Sequence, residues 1–206
     1  MKIEGKKPRT AVRLCTYDTH KPLNVVTTHI KKYFKGKCLD VGYNNGRHLK
    51  LMPKGSVGID LDSRYNKCLE DYKLITFDLN VCDLPLKESE FDVILCSHVL
   101  EHIDSPHLLL KEFKRICKKG GYIIIAVPNA KCISKDFYGG EFKKFHINAW
   151  DYYTLKKILE VHNLRISQFL INHPTNNKTI GKLFQLNINP LKKRWEDLWF
   201  VCKNIK

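Results

Sequence analysis

Leu39-Asp-Val-Gly-Tyr-Asn-Asn-Gly46 is the stretch on which the fold of this chain turns. It begins in an apolar run, Lys37–Val41, that ends in an aspartate and a glycine, and a second glycine follows at Gly46. An apolar run punctuated in this way reads as a short strand entering a tight turn. Glycines let the backbone bend sharply and approach a ligand closely, and the start of a following helix offers free N–H groups to an anion. About twenty residues further on, Asp60 closes the next candidate strand, Ser56–Asp60, where nucleotide folds keep a ribose-binding carboxylate. The glycines are spaced G-x-x-x-G, not G-x-G-x-x-G, which weighs against a dinucleotide site.

Downstream the same rhythm repeats. Helices are predicted around Gly46–Met52 and Ser63–Leu69, and strands over Lys73–Phe77 and Phe91–Cys96. Ser105-Pro106 opens a further helix, since a hydroxyl suits the N-cap and proline the first turn. Leu109, Phe113 and Ile116 share one face of it, and Gly120-Gly121 reads as its end before a strand at Tyr122–Val127. Strands alternating with helices imply an α/β fold: a Rossmann-like three-layer sandwich around a mainly parallel sheet. Beyond Pro128 comes a polar, basic and aromatic stretch, Asn129–Trp150. An amphipathic helix (Asp151–Val161), a strand (Leu164–Ile171), a turn-rich connection (Asn172–Lys182) and a last strand (Leu198–Cys202) follow.

Composition narrows the class. The 206 residues carry 36 lysines and arginines against 21 aspartates and glutamates, a formal charge of +15. Such a balance favours acidic partners. No apolar run approaches the ~18 residues of a membrane span, and the basic N-terminus lacks the apolar stretch of a signal peptide. The eight cysteines are scattered without a C-x-x-C pair, so neither a disulfide framework nor a structural zinc site is expected. These features are those of a soluble, cytoplasmic protein.

Five segments stand in a telling order: Leu39-Asp-Val-Gly42, Gly58-Ile-Asp-Leu-Asp62, Asp83-Leu-Pro-Leu86, Phe91-Asp-Val-Ile-Leu-Cys96 and Lys118-Lys-Gly-Gly-Tyr122. Together they closely resemble the class I S-adenosylmethionine (SAM)-dependent methyltransferases. The likeness is nearest to the type 11, ubiquinone-biosynthesis-like branch, where "VLEH" follows the fourth strand as Val99-Leu-Glu-His102 does here. The resemblance covers about residues 37–127, with a weaker echo in Phe145-His-Ile-Asn-Ala-Trp150. It implies one domain over residues 1–206, made of an N-terminal extension (1–36), a cofactor core (37–127) and an acceptor side (128–206). It also implies a seven-stranded sheet in which Leu198–Cys202 is the single antiparallel strand.

Carried onto these residues, the resemblance assigns the loop Asp40, Gly42, Tyr43, Asn44 and Gly46 to the methionine part and sugar of SAM. Asp60, beside Leu61, would take the ribose hydroxyls. Asp83 would accept from the adenine amino group while the Leu84 backbone reads the ring edge, and Cys96 and Ser97 would line the methyl-donor side. Asn44 stands where the family carries a glycine, and asparagine enters the left-handed region more readily than most residues. Tyr43 or Tyr17 would suit a sulfonium cation through the ring face. His98, His102 and His146 are the candidate proton acceptors, and S-adenosylhomocysteine (SAH) is the expected product.

His98-Val-Leu-Glu-His102 also spells H-x-x-E-H, an inverted zinc-protease motif, but that motif requires a helix. Glu101-His102 with His146 also resembles the small-RNA 2′-O-methyltransferases, which bind a divalent ion through Glu and His; a structural Glu101–His102 pair without metal is the plainer reading. Between Lys37 and Leu110 there are 8 basic and 12 acidic residues; the remaining 28 basic and 9 acidic residues therefore hold +19. The expected acceptor is a small molecule, anionic if the flanks hold it. RNA is the alternative because basic residues and aromatics alternate in Lys131–Lys144. A non-catalytic SAM-binding or partner module is the second alternative.

Overall fold

Strand β1 (Cys38–Val41) and strand β2 (Val57–Asp60) are buried along their whole length, as apolar strands covered on both faces must be. The computed structural model describes residues 25–81, 83–130, 146–172 and 197–206. Strands β3 (Lys73–Thr76), β4 (Phe91–Ser97), β5 (Cys117–Pro128), β6 (Leu164–Asn172) and β7 (Asp197–Asn204) complete one seven-stranded sheet in the order β3-β2-β1-β4-β5-β7-β6. Strands β3, β2, β1, β4 and β5 pair in parallel, and β7 runs antiparallel to both β5 and β6. This is the expected seven-stranded sheet with a single reversed strand.

Two apolar layers flank the sheet. Helix α2 (Pro106–Ile116) and helix α3 (Tyr152–Val161) bury Leu109, Phe113, Ile116, Leu155 and Leu159 on one side. On the other side a short helix, α1 (Val25–Ile30), contributes Val26 and Ile30 to a cluster with Leu49, Met52 and Trp199. The core therefore starts inside the segment that the sequence marks as an extension. Asp151 caps α3 through the Thr154 amide, and Thr154 returns a bond to the Asp151 amide, a capping box.

Three local expectations are corrected. The helices predicted at Gly46–Met52 and Ser63–Leu69 are single 3-10 turns, Leu49–Leu51 and Asn66–Cys68. Pro53, Gly55 and the prompt start of β2 leave no room for a longer helix after the glycine loop. Gly120-Gly121 does not end α2, which stops at Ile116. Phe91 pairs with Cys117 and Val93 with Tyr122, so residues 118–121 bulge out within β5. Gly120 takes φ +78°, and a Cβ at Gly121 would fall 2.8 Å from the Asp92 carbonyl. Finally, Ser105 makes no side-chain cap on α2. The connection Asn172–Lys182, beyond its first residue, and the basic stretch Lys131–Lys144 lie outside the described residues, as does Tyr17.

The far end of β7 is tied down by Asn204, which is fully buried and donates through Nδ2 to the Lys114 and Cys117 carbonyls at 3.1 and 2.9 Å. Asn204→Ala strands those carbonyls at the α2–β5 junction. It should lower stability by about 2 kcal/mol and the melting temperature by about 4–8 °C, read by thermal denaturation.

Candidate functional site

The site lies where the parallel strands end, beside the reversal of strand order between β1 and β4, the place where open α/β sheets bind ligands. Three alternate left-handed positions shape the loop after β1: Gly42 at φ +72°, Asn44 at +46° and Gly46 at +74°. Asn44 thus takes the backbone conformation that its side chain tolerates. Gly42 is required by contact, since a Cβ there would lie 2.3 Å from Cγ2 of Val99. The Gly42 amide donates to the Ile59 carbonyl at 2.8 Å and the Asn44 amide to Oδ2 of Asp60 at 2.8 Å. The Asp62 amide donates to Oδ1 of Asp60 at 2.9 Å. Asp60 therefore fastens the glycine loop to the end of β2.

Asp40 stands beside it with 1% exposure, and its Oδ2 has no hydrogen-bond partner among the described residues. Burial, with the Asp60 charge adding to it, pushes the Asp40 carboxyl up to about 8. Burial also raises Asp60, against the pull of the Asp62 and Asn44 amides. Two buried acidic side chains thus share one corner, and among the described residues no cation offsets Asp40.

Other predicted residues are placed differently. The Tyr43 ring is buried in the core against Gly58, with its hydroxyl on Asn66 Oδ1, so it does not face a ligand beside the loop. Cys96 is fully buried and its thiol is raised well above the ordinary value by burial; it packs in the core instead of lining a donor site. The Leu84 amide is taken by Glu112 at 2.8 Å and does not point to a ring edge. Leu61 is 51% exposed, Ser97 is half-buried at the tip of β4, and Asp83 is exposed with φ +67°.

Beyond β4 the three candidate histidines converge. His98 holds φ +56°, a left-handed strain that non-glycine residues keep mainly at functional positions. Its Nδ1 lies 3.5 Å from Glu101, and its Nε2 lies 3.6 Å from Asp197, the first residue of β7. Burial opposes charge on His98, but Asp197 and Glu101 outweigh it and lift its pKa to about 9. The His102 and His146 rings meet edge-on at 4.6 Å. Burial, aided by His102 and His98 against Glu101, lowers His146 to about 4. The segment carrying His146 is docked onto this corner. The Ile147 and Asn148 amides both donate to the Glu101 carbonyl, and Asn148 Nδ2 donates to the Ile103 carbonyl.

Glu101 is 1% exposed, and among the described residues neither carboxylate oxygen has a hydrogen bond. One of its oxygens and one nitrogen each of His102 and His146 lie within 4.8 Å of one another, a donor set whose chemistry would also accept a cation. The H-x-x-E-H run is not on a protease-type helix, because His98 follows a strand and Leu100–His102 is a single 3-10 turn. Asp197 escaped the sequence reading altogether. It reaches His98 only because β7 runs antiparallel, which brings its first residue to the edge where β4 ends.

Residues 39–125 match the family described as "Methyltransferase domain". The ubiquinone biosynthesis O-methyltransferase of Pelagibacter ubique is 29% identical over 178 residues, covering 78% of this chain and 68% of that protein. A Methanocaldococcus jannaschii protein is 30% identical over 134 residues, 62% of each chain. The tRNA U34 carboxymethyltransferase of Nautilia profundicola is 34% identical over 116 residues, 50% of this chain and 37% of that protein. The chain thus spans less than two thirds of the length of the last two relatives. Among solved structures, a SAM-dependent methyltransferase from Archaeoglobus fulgidus superposes with a TM-score of 0.66 at 21% identity, over 86% of this chain and 92% of that one. That likeness speaks for the fold. The motif order, the strand order and the match over residues 39–125 agree in likening this chain to methyltransferases.

Proposed function

We propose that this protein transfers the methyl group of SAM to a small-molecule acceptor held at the histidine corner beyond β4. The observation that carries the reading is the buried Asp40–Asp60 pair beside a left-handed glycine loop. The residues fit the cofactor. Among the described residues Asp40 Oδ2 has no hydrogen-bond partner and no cation offsets it, and each Asp60 oxygen keeps a lone pair for a ribose hydroxyl beyond the amide it accepts. When bound, SAM supplies a methyl group on a sulfonium, which the acceptor takes by displacement while SAH is released.

The chain's part is alignment and exclusion of water. Val99 covers Gly42 and leads directly to Glu101 and His102, so the glycine loop and the histidine corner adjoin. The acceptor's proton leaves through that corner, where His98, His102 and His146 stand. A small acceptor is favoured because the likeness to the Pelagibacter enzyme runs well past residue 125, over 78% of the chain. The likeness to the tRNA enzyme covers 50%. RNA is the second reading, favoured by the +19 outside Lys37–Leu110.

Three outcomes test this. Asp60→Ala should weaken SAH binding about ten- to a hundredfold in calorimetry, the loss expected when hydrogen bonds to a charged group disappear. Wild-type protein that ignores millimolar SAH would end the cofactor reading.

Asp40 titrates at about 8 in the fold against 3.8 when unperturbed, so the folded state keeps a proton that the unfolded chain has released. Ligand-free stability therefore falls as pH rises between these values. Asp40→Asn should raise the melting temperature by about 5 °C at pH 8, with the gain gone near pH 4. SAM should stabilise the wild type more than this variant at pH 8.

Labelled SAM offered to a small-molecule extract and to total RNA, with and without ribonuclease, should leave label in a ribonuclease-resistant small product. Label lost to ribonuclease would favour RNA. Cofactor binding without any labelled product would favour a non-catalytic module.

A further inference from the structure

We infer that Glu112 and Arg115, on α2, are positioning residues that set the adenine end of the cofactor site by holding the loop at Leu84–Leu86. The inference rests on the SAM reading for its ligand, but its geometry stands independently. Three backbone groups of that loop find their partners in this one side-chain pair. The Leu84 amide donates to Oε2 of Glu112 at 2.8 Å. The Leu84 and Leu86 carbonyls accept from Nη2 and Nη1 of Arg115 at 3.1 and 2.9 Å. The pair is itself joined twice, by Arg115 Nε to Oε1 and Nη2 to Oε2 of Glu112 at 2.8 and 2.7 Å. A planar fork with several fixed donors can satisfy two carbonyls and a carboxylate together; an ammonium group cannot reproduce that pattern.

The consequence is a shaped wall. Leu84 and Leu86 are pressed into the core, and Leu84 and Glu112 line a small cavity with Leu79, Ile103 and Leu108. Directly before this anchored pair, Asp83 takes φ +67°, a left-handed conformation that aspartate enters more readily than most residues, and its side chain is exposed. The anchor reaches the loop from α2, 28 or more residues along the chain. Glu112 thereby replaces a ring edge as the partner of the Leu84 amide. Base recognition then falls to the wall itself, where Asn80 and Val81 also line the cavity.

The test uses full-length protein and two probes, SAH and S-inosylhomocysteine, which differ only in the base. Wild type should prefer the adenine compound. Arg115→Lys, which keeps charge and stem but loses the fork, and Glu112→Gln should each weaken SAH about tenfold. Both should also flatten the preference between the two bases, while the far-ultraviolet circular dichroism spectrum stays that of the wild type.

A uniform loss for both probes, with the preference intact, would mark a merely structural pair and overturn the inference. Unchanged affinity and preference in both variants would do the same. Absence of SAH binding by the wild type would instead strike the cofactor reading. Arg115→Lys keeps the test decisive if Glu112→Gln does not fold.

Discussion

Two carboxylates, Asp40 and Asp60, are buried at the ends of neighbouring parallel strands, and much of the site follows from keeping them there. Desolvation makes such a pair costly, so the fold must hold it by other means. Those means are visible: fully buried strands on either side, the Asn44 and Asp62 amides on Asp60, and a loop that bends through three left-handed residues to deliver them. Gly42 can bend so tightly against Val99 only because it lacks a side chain. Burial therefore makes the Asp40 proton part of the ligand-free protein's stability, and the loop that carries the Asn44 amide holds Asp60 in place against it.

The strands were legible because their burial is written locally. Near-continuous apolar runs such as Phe91–Cys96 have no other economical fate than the middle of a sheet. The glycine loop and Asp60 were legible for a related reason: their chemistry is tied to a strand end, and strand ends can be read from punctuation. The failures have a common physical cause, which is dependence on distance in three dimensions. Helical periodicity after β1 does not reveal that only about one turn fits before β2. Gly120-Gly121 looks like a helix stop, whereas its conformational freedom serves a bulge against Asp92. Asp197 carries no local signal, because its meaning depends on the reversed direction of β7. Glu112 and Arg115, spaced i and i+3, read as an ordinary surface pair, and nothing near them in sequence points to the Leu84 backbone.

The excess of positive charge is unevenly spread along the chain. The cofactor half, Lys37–Leu110, carries more acidic than basic residues, in keeping with a cationic ligand. The surplus lies in the flanking segments. An acidic half suited to a cationic ligand does not by itself distinguish one acceptor from another. The fold alone cannot supply that distinction: a [4+2]-cyclase shares it with a TM-score of 0.62 at 13% identity.

The histidine corner is where such a distinction would be built. It joins residues from three parts of the chain: His98 and Glu101 after β4, Asp197 at the start of β7, and His146 on a segment hung from the Glu101 carbonyl. Each of these depends on the sheet for its place, yet only His98 belongs to the strand–loop frame shared with the cofactor site. The opposing pulls on the imidazoles follow from their surroundings. His98 lies between two buried carboxylates and stays charged, while His146, less well compensated, stays neutral. The two imidazoles therefore differ because of what the fold puts beside them. Asp197 reaches His98 only through the sheet's one reversed strand, and His146 reaches the corner only because the Ile147 and Asn148 amides hang its segment from the Glu101 carbonyl.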